Sequence, residues 1–339
     1  MKSHYLFGSL TRISDLAERP FSVTPLPKTA WAGGDYVVGE ITTTPGCMRL
    51  LELENGRMAE LADGDLVVGA FGQRAATLEA VGDWRAIGAD QRFDMLTSAG
   101  LFGKLTSKSL FLPPLMGLSY RGHVMVNGDK ARMSDYVPTA ARLQDCSLPV
   151  ILLVGTSMSA GKTTAARIIV RLLKRAGYRV IGAKLTGAGR YRDVLSMGDA
   201  GADRIYDFVD VGLPSTVCPE EEFRRALRRL MGMMMEDGAD VLVAEAGASP
   251  LEPYNGSVAI AELERQVRFT VLCASDPYAV VGVAAAFDRQ PDLVAGGAAN
   301  TQAGIRLVEK LTGIKALNLM DKATLPELKG LLKQHLGKL

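Results

Sequence analysis

Excess charge of either sign is missing from this chain of 339 residues: 39 Lys and Arg stand against 37 Asp and Glu, a net charge of +2. Bulk charge therefore gives nucleic acid or a membrane surface no reason to bind. Aromatic residues are scarce at 6%, which argues against a base-stacking platform. Only Cys47, Cys146, Cys218 and Cys273 carry thiols, widely scattered and without a C-x-x-C pair. Free thiols in a reducing cytosol are expected, not a disulfide framework or a zinc site. His4, His123 and His335 are too dispersed for a metal cluster. No run approaches the roughly 18 apolar residues of a membrane span. The opening MKSHYLFGSLTRISD lacks the apolar stretch of a signal peptide. A cytoplasmic protein with neither nucleic-acid nor membrane partners is the expectation.

The two halves of the chain differ in pattern. Residues 1–140 read as a β-rich domain, a small barrel or sandwich of short strands with glycine turns. DYVVGEITTT (35–44), GDLVVGAFG (64–72) and AATLEAVG (75–82) have strand composition, and Asn55-Gly56 and Asn127-Gly128 signal hairpins. Nothing in this half reads as a catalytic signature. Residues 141–149 read as a linker. From 150 to 339 strands and helices alternate, which implies a doubly wound parallel sheet covered on both faces. VILLV (150–154) and YRVIGAKL (178–185) are the first two strands; DVLVAEAG (240–247), FTVLCAS (269–275), DLVAGG (292–297) and KALNL (315–319) follow. Asp199, Asp203, Asp207 and Asp210 are spaced to share one helix face. Asp276 before Pro277 reads as a helix N-cap.

The chemistry concentrates in GTSMSAGKTT, comprising Gly155, Thr156, Ser157, Met158, Ser159, Ala160, Gly161, Lys162, Thr163 and Thr164. An apolar strand precedes it and an amphipathic helix follows. That is the context in which backbone N–H groups and the helix dipole hold a phosphate. Lys162 reaches the outer phosphates, and Thr163 offers a hydroxyl to Mg²⁺. Glu245, at the end of a buried strand, is the Walker-B-like acid, placed where ligands gather in open α/β sheets. Arg190 and Arg192 suit an oxyanion because a guanidinium pairs in bidentate fashion. The long segment EAGASPLEPYNG (245–256) reads as a substrate lid or a dimer contact.

The spacing G-T-x-x-x-x-G-K-T resembles the loop of dethiobiotin synthetases and their relatives. These include the cobyrinic and cobyric acid amidating enzymes and the molybdopterin-guanine dinucleotide adaptor proteins, in the signal-recognition/MinD/biotin class of P-loop proteins. The resemblance spans about 150–320 and includes the second-strand GAKLTGAG, with Lys184, Thr186, Gly187 and Gly189, and the third-strand LVAEAGAS, with Glu245 and Gly247. The loop-initial lysine of MinD-type ATPases is absent. The loop is also similar to that of an uncharacterised family linked to D-glutamate N-acetylation, where this domain again follows an N-terminal one.

The resemblance implies an ATP-binding (or GTP-binding) enzyme using Mg²⁺, a ligase or kinase-like activator of a small anionic substrate by phosphoryl transfer. Lys162, Lys184 and Glu245 would be catalytic. Thr163, Glu245 and Asp193 would hold the metal, Thr186, Arg190 and Arg192 would meet the substrate, and Asn300 would touch the base. A homodimer is implied. The alternatives are a nucleotide-dependent adaptor whose N-terminal domain binds a partner, and an acyltransferase whose loop holds a nucleotide-containing cofactor such as coenzyme A.

Overall fold

A computed structural model describes residues 4–42, 45–138, 143–247, 249–287 and 290–337. Parts of the expected strand 35–44 (43–44), linker (141–142) and segment 245–256 (Ala248) lie outside the described residues. The chain forms two compact units. One comprises Met1–Ala140 with Ala188–Arg192 and Phe208–Pro219; the other comprises Ala141–Gly187, Asp193–Asp207 and Glu220–Leu339. No helix among the described residues is long and apolar enough to cross a membrane.

The first unit is a barrel. Strand Leu66–Phe71 pairs antiparallel with Tyr36–Thr42, which pairs with Gly117–Val126, then Arg92–Thr97, then Leu101–Lys108. A parallel pairing of Leu101 with Ala70 and Phe102 with Phe71 returns to the first strand and closes the ring. Closure removes the exposed edges that an open sheet must otherwise protect. Residues two apart on a strand share a face, and Leu118 and Tyr120 both point inward with Val37, Ile41, Phe93 and Phe102. Trp31 stacks on Phe71 with ring centroids 4.9 Å apart.

A buried polar chain crosses this unit. Asp35 Oδ2 accepts from Lys130 Nζ at 2.7 Å and from the Ala32 N–H at 2.7 Å, and lies 3.1 Å from His123 Nε2. His123 Nδ1 is 2.5 Å from the Tyr120 hydroxyl. Asp35 and His123 are fully buried. A buried carboxylate is tolerated only with partners of this kind. Glu52, also fully buried, accepts from the Ser9 hydroxyl at 2.6 Å and from the Tyr191 and Arg192 N–H groups at 2.8 Å each. It thereby caps the first turn of helix Tyr191–Asp199.

The second unit carries six parallel strands in the spatial order Arg204–Asp207, Val180–Thr186, Val241–Ala246, Val150–Gly155, Val267–Cys273, Leu293–Ala295. Helix Lys162–Arg175 buries Ala165, Ala166, Ile169, Val170 and Leu173, one stripe at helical spacing, against Ile151, Leu153 and Phe269. Helices Gly256–Leu263 and Pro277–Phe287 follow the third and fourth strands in sequence among the central four. Asp276 caps the latter, accepting from the Tyr278 and Ala279 N–H groups at 2.9 and 3.0 Å. All four cysteines are free thiols.

Several local expectations are corrected. AATLEAVG is a hairpin, not a strand: Gln73–Ala75 turns through 76–79 into Ala80–Asp83. Both Asn-Gly pairs do lie in antiparallel hairpins: Asn127 (φ 54°) and Gly128 (φ 90°) make a tight two-residue turn, and Asn55-Gly56 lies in the five-residue loop joining Leu50–Glu52 to Met58–Glu60. KALNL contributes only a bridge from Ala316 to Val294. The four aspartates do not share a helix face, because the helix stops at Asp199. Asp203 pairs with Lys174 at 2.7 Å, Asp207 ends a strand, and Asp210 pairs with Arg12 at 2.6 Å. Residues 143–149 hold to helix Glu220–Glu236: the Gln144 N–H donates to Arg228 O at 3.1 Å.

Replacing Asp35 by Ala leaves Lys130 and His123 without their shared acceptor and should destabilise the barrel by about 3–5 kcal/mol. Both tryptophans, Trp31 and Trp84, lie in this unit, so urea unfolding followed by tryptophan fluorescence reads it separately. An unchanged midpoint would show that the polar chain contributes nothing.

Candidate functional site

The strand Val150–Gly155 is fully buried and delivers the chain into the loop, and helix Lys162–Arg175 starts at its far end. Gly161 makes the turn at φ 99°, a conformation a side chain would strain. Gly296, from the end of the last strand, packs against the loop: a Cβ there would lie 2.3 Å from Ala160 O. Ser157 and Ala160 are buried, Ser159 and Thr164 exposed, and Thr156 and Met158 half-buried. The Thr156 N–H donates to Cys273 O at 3.1 Å, which ties the loop to the neighbouring strand.

Lys162 is 1% exposed, and its ammonium folds back to donate to Ser157 O at 2.6 Å. Burial lowers its pKa, and the Glu245 carboxylate partly offsets that. Thr163 donates from Oγ1 to Glu245 Oε2 at 3.0 Å. Glu245 is 3% exposed, and burial raises its pKa against the pull of Lys162 and Lys184. Lys184 donates to Asp193 Oδ2 at 2.6 Å. Burial alone would lower the Lys184 pKa, but Asp193 and then Glu245 outweigh it and raise it. The thiol of Cys273 is pushed up to about 12 by burial, so it is unreactive in the folded chain.

Strand register sets these charges in line. Asp207 is opposite Lys184, Lys184 opposite Glu245, and Glu245 opposite Leu153, two residues before Gly155. Three buried side chains of alternating charge thus cross adjacent strands at their C-terminal ends, beside the loop. Gly247 makes room for this row: a Cβ there would lie 2.0 Å from Thr186 O and 2.9 Å from Lys184 Cε. Its N–H donates to Thr186 Oγ1 at 3.1 Å.

Lys162, Thr163, Lys184, Thr186, Asp193 and Glu245 therefore converge on one edge. Arg190 and Arg192 are exposed and belong to the segment 188–192 of the barrel unit. Asn300 is exposed after the last strand, and the following helix is capped by Thr301, which accepts from the Gly304 N–H at 3.1 Å. Sequence reasoning missed the packing role of Gly296; the Gly-Gly pair closing DLVAGG was its only signal. It also missed Glu52, which no local pattern marks as a helix cap.

Mg²⁺ takes oxygen donors, binds through one or two carboxylates plus phosphate, and keeps several waters. Thr163 Oγ1 and Glu245 Oε2, already 3.0 Å apart, are such a donor set and fit it. No group of three or more His, Cys, Asp or Glu suited to a metal occurs among the described residues.

The strand–loop–helix unit, with its buried lysine and strand-end acid, belongs to a six-stranded parallel sheet of the P-loop type. No family model and no curated protein matches the sequence. Among solved structures the chain is similar to a DUF1611 family protein from Anabaena variabilis, at 17% identity and a TM-score of 0.37, over 58% of this chain and 62% of that one. It is also similar to HypB from Helicobacter pylori in complex with nickel, at 15% identity and a TM-score of 0.37, over 55% and 86%. A third is the signal recognition particle 54 kDa protein from Aeropyrum pernix in complex with GDP, at 16% identity and a TM-score of 0.32, over 60% and 53%. The chain thus spans less than two thirds of the length of the first of these, and the likeness concerns the fold alone.

Lys162 is a buried cation whose ammonium donates to Ser157 O and whose charge offsets that of buried Glu245. Lys162→Met removes that offset and should destabilise the unit by about 3 kcal/mol, since removing one partner of a buried pair leaves the other charge uncompensated. Hydrogen exchange across residues 162–175 reads this; exchange no faster than in the wild type would contradict it.

Proposed function

We propose that the P-loop unit binds Mg·ATP, or Mg·GTP, and transfers the terminal phosphoryl group to a small carboxylate. The observation that carries this reading is the buried Lys184 ammonium, fixed by Asp193 at 2.6 Å one strand away from Glu245. A fixed cation beside a phosphate loop, not itself part of the loop, suits an anionic acceptor or the charge that develops during transfer.

One carboxylate oxygen of the acceptor attacks the γ-phosphorus. The bond from that phosphorus to the β–γ bridging oxygen breaks, its electron pair leaves with the nucleoside diphosphate, and an acyl phosphate forms. A carboxylate is already ionised at neutral pH, so no general base is required. Lys162 and the loop N–H groups stabilise the transferring group; Thr163 and Glu245 would hold Mg²⁺, which when bound would neutralise phosphate charge. Asp193 orients Lys184 in this scheme, and Thr163 and Glu245 are the residues that would touch the metal. Arg190, Arg192 and Asn300 stay proposed contacts to acceptor and base.

A nucleotide-dependent adaptor is the second reading. It is favoured by the membership of residues 188–192, which lead directly into Asp193, in the barrel unit.

The test is nucleotide turnover with a panel of small carboxylates, trapping acyl phosphate as its hydroxamate. Lys162→Ala should weaken nucleotide binding at least about 100-fold. Lys184→Met should keep nucleotide affinity within a few-fold and lower kcat by about 10²–10³. Slow hydrolysis indifferent to every carboxylate, with Lys184→Met unchanged, would sink phosphoryl transfer and favour the adaptor.

A further inference from the structure

The stretch of chain that leads into Asp193 is pinned along its length. Ala188 forms a bridge with Ser215, the Gly189 N–H donates to Pro214 O at 3.0 Å, and Gly189 O accepts from the Thr97 hydroxyl at 3.0 Å. The Tyr191 and Arg192 N–H groups then donate to the two oxygens of Glu52, Oε2 and Oε1, at 2.8 Å each. These partners, like residues 188–192 themselves, belong to the barrel unit.

Glu52 is the strongest of these anchors. The first N–H groups of a helix have no partner within it, and a carboxylate set among them also meets the positive end of the helix dipole. Glu52 is fully buried and is held in turn by the Ser9 hydroxyl at 2.6 Å, so its own position is fixed. The turn it caps carries Asp193, whose Oδ2 accepts from Lys184 Nζ at 2.6 Å. A displacement of that turn by about 1 Å would stretch this contact past hydrogen-bond length. A misplacement of that size around reacting atoms can lower a rate about 100-fold.

We propose that Glu52 is a positioning residue for Lys184: it holds the first turn of helix Tyr191–Asp199, that turn sets Asp193, and Asp193 sets the ammonium. The barrel unit thereby takes part in the chemistry without placing Glu52 at the reacting atoms. The proposal rests on the phosphoryl-transfer reading for what Lys184 does, but not for how Lys184 is held.

Two measurements on the full chain test it. The first needs no turnover: lysine acetylation by acetic anhydride in the nucleotide-free protein, read by peptide mass spectrometry. Glu52→Gln sets an NH₂ donor against one of the two N–H groups. In that variant Lys184, buried in the wild type, should acetylate at least tenfold faster, while buried Lys162 stays as protected as before. The second is nucleotide turnover by Glu52→Gln, Lys184→Met and the double variant. Glu52→Gln should lower kcat about 10–100-fold, keep the nucleotide KM within a few-fold, and add nothing once Lys184 is replaced. Unchanged Lys184 acetylation overturns the proposal. So does a fall in kcat that multiplies with that of Lys184→Met, the mark of general loosening. If Glu52→Gln does not fold, Glu52→Asp, which keeps the charge but draws the carboxylate back by one methylene, is judged by the same criteria. Faster Lys184 acetylation without turnover of any carboxylate would support the positioning role and count against phosphoryl transfer alone. Carboxylate-dependent turnover with Lys184 acetylation and kcat unmoved in Glu52→Gln would remove the positioning role and leave phosphoryl transfer standing.

Discussion

The alternating row of Asp207, Lys184 and Glu245 constrains the rest of the second unit. Each is buried at the end of its strand, and each answers the charge of its neighbour across the register. Charges can be buried in this way only when they are paired. The register of three strands, the glycine at 247 and the start of helix Tyr191–Asp199, which carries Asp193, must all agree for the row to exist. The P-loop lysine joins the same field through Glu245. The arrangement does not maximise stability. Lys162 is desolvated by its burial, which Glu245 offsets only in part.

The barrel unit solves its burial problem by different means. Its ring of strands closes on itself, and one oxygen of its buried Asp35, Oδ2, faces a lysine, a histidine and a backbone N–H, while Oδ1 is buried without a hydrogen-bond partner among the described residues. Glu52 does for the start of helix Tyr191–Asp199 what a capping side chain usually does from within the helix. That distant residue acts on the turn that leads into Asp193. It is a physical reason for an acid buried in a unit whose sequence shows no catalytic signature.

Much of the second unit was legible because its signals are local. A buried strand, Gly-Lys-Thr and an amphipathic helix follow one another directly, and strand-end acids are readable one strand at a time. What could not be read was register. Sequence places Lys184 and Glu245 each at a strand end, but only the pairing sets them opposite each other and brings Asp207 alongside. Spacing misled in the aspartate series, where a four-residue period persisted after the helix had stopped at Asp199. The first Asn-Gly marked its hairpin correctly, though five residues separate its strands and the tight turn is made only at Asn127-Gly128. In the barrel, Tyr36–Thr42 and Leu66–Phe71 were legible from their Val content, but Arg92–Thr97 and Leu101–Lys108 hold neither Val nor Ile and were not, and closure rests on the parallel pairing of Leu101 with Ala70, which no local pattern announces.

The central claim is that Gly155–Thr164 is a phosphate site whose lysine waits on the loop's own carbonyls. A crystal structure with a non-hydrolysable ATP or GTP analogue and Mg²⁺ tests this most directly. The account predicts the triphosphate against the loop N–H groups, Lys162 Nζ moved from Ser157 O onto the outer phosphates, and Mg²⁺ at Thr163 and Glu245. Lys162 still bonded to Ser157 O, with no nucleotide at the loop at saturating analogue, would contradict it.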